Sequence, residues 1–113
     1  MNAFQIKDIV KHFVGQANTA SVPTIFKKWF GSYNTAILFS QILYWSDRTS
    51  NADGWFYKSY KDWERELFLS EKEARTAAEK LVEMGLIETA VHKINGVPTM
   101  HYRLSNDVFE KLF

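Results

Sequence analysis

The dipeptide Asn95-Gly96 constrains this chain more than any other feature, because it stands between two stretches in which apolar and polar residues alternate. Asparagine and glycine are the preferred central pair of a two-residue type I′ turn, whose positive φ angles they tolerate, and a loop that short leaves a single hairpin register. Ile94 then faces Val97. Ile87 faces Leu104, Thr89 faces Tyr102 and Val91 faces Met100 on one side of the hairpin; Glu88 faces Arg103, Ala90 faces His101 and His92 faces Thr99 on the other. One face is apolar and the other is polar with an opposite-charge pair, so turn, register and amphipathicity agree.

Two helix starts of one kind precede the hairpin. Ser59 stands three residues before Asp62, and Ser70 three before Glu73, each pair satisfying the backbone N–H groups that a helix start leaves open. Tyr60, Trp63 and Leu67 give the first helix an apolar face before it ends near Phe68-Leu69, and Gly85 stands where a helix stop is expected for the second. At about 100° per residue, Ala74, Ala77, Ala78, Leu81 and Val82 form one stripe of the second helix. Lys72, Thr76, Glu79 and Glu83 point the other way, with Arg75 and Lys80 on the flanks. Two helices separated by a turn of about three residues make a helix-turn-helix.

Upstream, Tyr33 to Ser46 is uncharged and apolar on most of its circumference, which predicts a buried spine helix. Pro23 suits the first position of a short helix carrying Ile25, Phe26, Trp29 and Phe30 and stopped by Gly31. Ile6, Ile9, Val10, Phe13 and Val14 share a face of a short N-terminal helix, followed by a polar loop from Gly15 to Ser21. Arg48 to Gly54 is turn chemistry, with Asp53-Gly54 its strongest element, and Trp55-Phe56-Tyr57-Lys58 reads as a short strand. Ser105 begins a last short helix in which Val108, Phe109 and Leu112 pack back. This is the order of a winged helix-turn-helix, an α+β and mostly α fold, with the strand at 55–58 placed to join the hairpin sheet. The expected organisation is one domain over 1–113: an N-terminal extension (1–31), a core (32–104) and a short C-terminal helix (105–113).

At 113 residues, 46% hydrophobic and 16% aromatic, the chain can bury one core without disulfides or metal. It has no cysteine, which excludes disulfides and thiolate metal sites and suits a reducing cytoplasm. Met1 to Lys7 lacks a basic region followed by an apolar run, and no stretch approaches the roughly 18 uncharged apolar residues of a membrane span. A soluble cytoplasmic protein with no membrane partner is expected. A net charge of +1 does not by itself mark a nucleic-acid binder. Lys7, Lys11, Lys27 and Lys28 stand against Asp8 alone in residues 1–33, whereas residues 59–85 carry five bases against seven acids.

Catalytic patterns fail one by one. The histidines are His12, His92 and His101; the last two fall on one hairpin face, and Glu88, the carboxylate nearest them, is opposite Arg103. A zinc site needs three or four protein ligands, so no metal and no cofactor are expected. Glycine-rich phosphate loops, nucleophile elbows and Ser-His-Asp groupings are missing from the sequence, so the chain is expected to bind and not to catalyse. Phe26, Trp29, Phe39, Tyr44, Trp45 and Trp63 lie on apolar faces and are core candidates before they are base-stacking ones.

In a helix-turn-helix the second helix enters the major groove with its N-terminal residues near base edges. Here that helix offers Lys72, Arg75, Thr76 and Lys80, and the hairpin tip offers Lys93 and Asn95 to a phosphate backbone. Glu79 and Glu83 oppose phosphate, and Glu71 with Arg75 has the spacing of a solvated helix pair. The expected ligand is double-stranded DNA. The rival is an adaptor or inhibitor that binds a replication or other host protein. A homodimer through Phe4, Ile9 and Phe13 or through Trp55 to Tyr57 would cover large apolar groups.

Ala36 to Arg48, with its Ser40-Gln41-Ile42-Leu43-Tyr44-Trp45 core, followed by Asp53 to Lys58 and Tyr60 to Trp63, resembles the winged-helix N-terminal domains of replication initiators and replisome organisers (DnaD-like) from phages and plasmids of Gram-positive bacteria. The resemblance continues through Leu69-Ser70, Leu81 to Glu88 and Thr99 to Leu104, and covers most of residues 22–104. It implies a domain that binds origin DNA, self-associates or both. A separate C-terminal region contacts the helicase machinery in that family, and the residues up to Phe113 show no such region.

Overall fold

A computed structural model of the chain describes residues 21–108 and residue 110. In chain order the elements are α1 (Ile25–Phe30), α2 (Tyr33–Ser46), β1 (Phe56–Tyr57), α3 (Tyr60–Leu67), α4 (Glu71–Glu83), β2 (Ile87–Ile94) and β3 (Val97–Leu104). Among the described residues this is an α+β fold of four helices and one antiparallel three-stranded sheet, with strand order β1-β3-β2. The N-terminal helix expected over Ile6 to Val14, the Phe4 contact surface, and the packing of Phe109 and Leu112 lie outside the described residues.

The hairpin follows its turn. Asn95 (φ 52°) and Gly96 (φ 79°) both adopt the positive φ of a type I′ turn, and the β2–β3 register runs from Ile94 opposite Val97 to Ile87 opposite Leu104. Because Ile94 and Val97 flank a two-residue loop as a hydrogen-bonded pair, the next pair, Lys93 and Pro98, is a non-hydrogen-bonded one. The N–H that Pro98 lacks is therefore not needed by β2, which is how a proline sits inside this strand. β1 adds to the other side of β3, with Phe56 opposite Tyr102 and Tyr57 opposite His101.

Polar caps set the helix ends. Ser32, Ser59 and Ser70 each accept a hydrogen bond from the backbone N–H three residues on, and Asp62 and Glu73 return the bond to Ser59 and Ser70. Past α4, the N–H of Gly85 bonds the carbonyl of Val82 and that of Leu86 the carbonyl of Leu81, at 2.9 and 3.0 Å. That paired closure needs Gly85 at its positive φ of 71°. In the loop after α2 the turn expected at Asp53-Gly54 forms, with Gly54 at φ 82° and its N–H on the carbonyl of Asn51. Asn51 Oδ1 accepts from the N–H groups of Asp53 and Trp55, so an asparagine turn leads into Gly54. Pro23 precedes the N-cap Thr24 and lies outside α1.

The core gathers on the spine α2, where Ala36, Leu38, Phe39 and Ile42 are fully buried. Phe39 meets Phe26 and Phe30 of α1 at ring-centroid distances of 5.4 and 5.3 Å, so the core reaches back into the segment expected to be an extension. Ala74, Ala77, Ala78 and Leu81 bring α4 onto α2; Val82, expected in the same stripe, is 42% exposed because it turns toward the hairpin. Val108 packs back on the core with its N–H on the carbonyl of Ser105.

Trp63 and Tyr102 are the largest fully buried side chains, and the indole Nε1–H donates to the phenol oxygen at 3.2 Å. Burial pushes the Tyr102 phenol up to about 12, the Trp63 hydrogen bond working in the opposite direction. A phenol whose folded pKa lies above its unfolded value stabilises the fold fully below about pH 10, and that contribution is lost as pH rises toward the folded value. Alkaline unfolding is expected between about pH 10 and about pH 12, followed by tyrosinate absorbance alongside circular dichroism. In Tyr102→Phe the stranded indole N–H lowers stability at pH 7 by about 1–3 kcal/mol, and this part of the alkaline destabilisation disappears. An unchanged alkaline limb in that variant would contradict this assignment.

Candidate nucleic-acid interface

The segment between α3 and α4 is anchored by one buried side chain and opened by one exposed one. Leu69 is buried in the core, whereas Phe68, the C-cap of α3, holds a left-handed conformation (φ 56°) with 87% of its surface exposed. Ser70 then starts α4, and Glu73 both caps Ser70 and accepts from Asn34 Nδ2 of α2 at 3.1 Å. These bonds hold the Glu73 carboxyl below its usual range, the backbone bond from Ser70 being the largest cause. The first turn of α4 is thereby tied to the spine.

Lys72 and Thr76 stand exposed on the outer face of α4, on its N-terminal half. Arg75 is exposed but engaged: its guanidinium lies 3.6 Å from Glu71 and 5.1 Å from the centre of the Tyr60 ring. A hydrogen bond with Tyr60, then the charges of Tyr60, Glu71 and Glu79, hold its pKa above the ordinary arginine value. Arg75 therefore leans toward the hairpin side of the helix. Lys80, exposed as well, shares the opposite flank with Glu73, seven residues earlier, and is set apart from Arg75. Lys93 and Asn95 are exposed at the hairpin tip.

Between α4 and the base of the hairpin runs a groove of about 460 Å³, lined by Tyr60, Arg75, Ala78, Glu79, Val82, Glu83, Thr89 and Met100. Periodicity assigns Tyr60, Val82 and Met100 to core faces and gives no sign of a groove. The signal that could have found it is length: Thr89 and Met100 sit on the core-facing side of strands that outrun the helix covering them.

On the outer face of the sheet, Arg103 bonds Glu88 at 2.7 Å and lies 4.6 Å from the Trp55 ring. His101 Nδ1 is 3.0 Å from the carbonyl of Thr99, and its ring meets those of His92 and Tyr57 at 5.1 and 5.5 Å. Among the described residues no group of three or more histidine or carboxylate side chains could hold a metal ion, and no helix is long and apolar enough to cross a membrane. No protein-family model, curated protein or solved structure matches the chain.

Phe68 supplies a direct check on the turn. A non-glycine residue in the left-handed region carries roughly 1–2 kcal/mol of steric cost, and an exposed ring returns little packing for it. Phe68→Gly is expected to raise stability by about 0.5–1 kcal/mol in urea unfolding, after the added chain entropy of glycine is subtracted. A drop in stability in that variant would show that the ring packs on the fold after all.

Proposed function

We infer that this chain is a winged-helix module that binds double-stranded DNA, acting by recognition and not by catalysis, in replication initiation of a phage or plasmid. The observation that carries this reading is the pairing of α4, whose exposed N-terminal half presents Lys72 and Thr76, with a hairpin whose exposed tip presents Lys93 and Asn95. A helix following a short turn fits the major groove, and a hairpin tip beside it fits the phosphate backbone. The resemblance of residues 36–63 to phage and plasmid initiator domains supports the replication assignment. A homodimer would supply the two half-sites that such readers use.

Charge sets the pose. In the first turn of α4 Glu71 is paired with Arg75 and Glu73 is held in the cap of Ser70, whereas Glu79 and Glu83 on the exposed C-terminal half have no basic partner within 4.0 Å among the described residues; this balance favours entry into the groove by the first two turns.

The test is a salt titration of binding to random duplex and to the DNA flanking the gene. Replacing Lys72, Arg75 and Lys93 by glutamine is expected to weaken binding steeply and to flatten log affinity against log salt by about one unit for each phosphate no longer neutralised. Duplex binding that is undetectable for the wild type at moderate salt, or a slope indifferent to the triple substitution, removes the reading.

A further inference from the structure

The groove between α4 and the hairpin base has the wrong chemistry for a phosphate backbone. Ala78, Val82 and Met100 make its floor apolar, and Val91, opposite Met100 and on the same sheet face, is 59% exposed. The α4 side of its rim carries two carboxylates, Glu79 and Glu83, and one base, Arg75, which is already engaged by Glu71 at 3.6 Å and by the Tyr60 ring. Glu79 and Glu83 are one helical turn apart and both exposed; neither has a basic partner within 4.0 Å among the described residues, although the charge of Glu79 also acts on Arg75 one turn earlier. By contrast, Asp62, Glu66, Glu71 and Glu88 each have a basic partner within 4.0 Å.

We propose that this groove docks a basic amphipathic helix of another protein. Two carboxylates four residues apart on α4 lie about 5–6 Å from one another, the spacing at which lysines or arginines one turn apart on an incoming helix meet them. The apolar stripe of that helix, with residues three and four apart, covers Val82, Met100 and Val91. Salt pairing at the exposed rim selects the partner and its direction, while the apolar floor holds it. The groove adjoins the outer face of α4, so an occupied groove excludes a duplex from the same helix.

The experiment uses the whole chain without DNA, so its outcome is independent of the duplex reading. The probe is a fluorescently labelled helical peptide of leucine and lysine, with leucines on one face, followed by anisotropy; a scrambled peptide of equal composition and a leucine–glutamate helix are the comparisons. Saturable binding of the lysine helix is expected, with the scrambled peptide much weaker. The double variant Glu79→Lys/Glu83→Lys is expected to lose about tenfold in affinity for the lysine helix and to gain affinity for the glutamate helix. Val82→Asp weakens binding of both helices. Because all three positions are exposed, circular dichroism of these variants is expected to match wild type. Equal binding of the scrambled peptide, no binding, or affinity indifferent to the charge reversal overturns the proposal. So does sedimentation showing a wild-type dimer that the charge reversal dissociates, which would assign the groove to a second copy.

Discussion

A buried hydrogen bond joins helix α3 to the sheet: the indole N–H of Trp63 donates to the phenol oxygen of Tyr102. Both side chains are almost wholly withdrawn from water, and their rings meet edge to face at 5.7 Å. A polar group buried without a partner costs several kcal/mol in an apolar setting, so each of these two makes the burial of the other tolerable. Phe56 stacks on Tyr102 at 5.8 Å and brings β1 to the same point. Helix α3 is thereby set against the sheet, while α4 is placed by its own packing on the spine α2 and on β2.

A second set of contacts completes the frame from the side of the spine. Three alanines and a leucine let α4 approach α2 closely, and the Asn34–Glu73 bond fixes its first turn along it. Lys58, just past β1, bonds both carboxylate oxygens of Glu66 on α3 and lies 3.6 Å from the centre of the Trp45 ring of α2. A single cation thus links the spine, α3 and the strand, in a place screened enough from water for the attraction to count. The side chains of Lys72 and Thr76 on α4 and of Lys93 and Asn95 at the hairpin tip are exposed to solvent.

Much of this is legible in the residues because local rules and long-range ones agree. Asn95-Gly96 dictates a register that places Tyr102 inward; Ser59 with Asp62 and Ser70 with Glu73 mark two helix starts that the caps reproduce bond for bond. What escapes sequence reasoning depends on distances between elements. Val82 belongs to an apolar stripe by periodicity, yet lies on the side of α4 that lines the groove, and its exposure follows from that gap. The turn that Asp53-Gly54 announces before β1 is present, with Gly54 at φ 82°, but composition does not single out the side-chain oxygen of Asn51 that bonds two of its N–H groups. The candidate site is half visible. Lys72, Thr76, Lys93 and Asn95 are exposed as their spacing implies, and periodicity already sets Lys80 on the flank away from Arg75, but the tethering of Arg75 to Tyr60 arises from packing.

Helix α4 carries Lys72, Arg75 and Thr76 on its N-terminal half, where Glu71 pairs with Arg75 and Glu73 caps Ser70, and Glu79 and Glu83 with Lys80 on its C-terminal half; the inferred DNA recognition turns on which half meets the duplex. Amide chemical-shift mapping of the whole chain with a short duplex reads this residue by residue. Perturbations are expected to concentrate at residues 70–76 and 93–96, with the amides of Glu79 to Glu83 little changed. Perturbations centred on Glu79 to Glu83, or on the outer sheet face at Tyr57 and His101, would contradict that orientation.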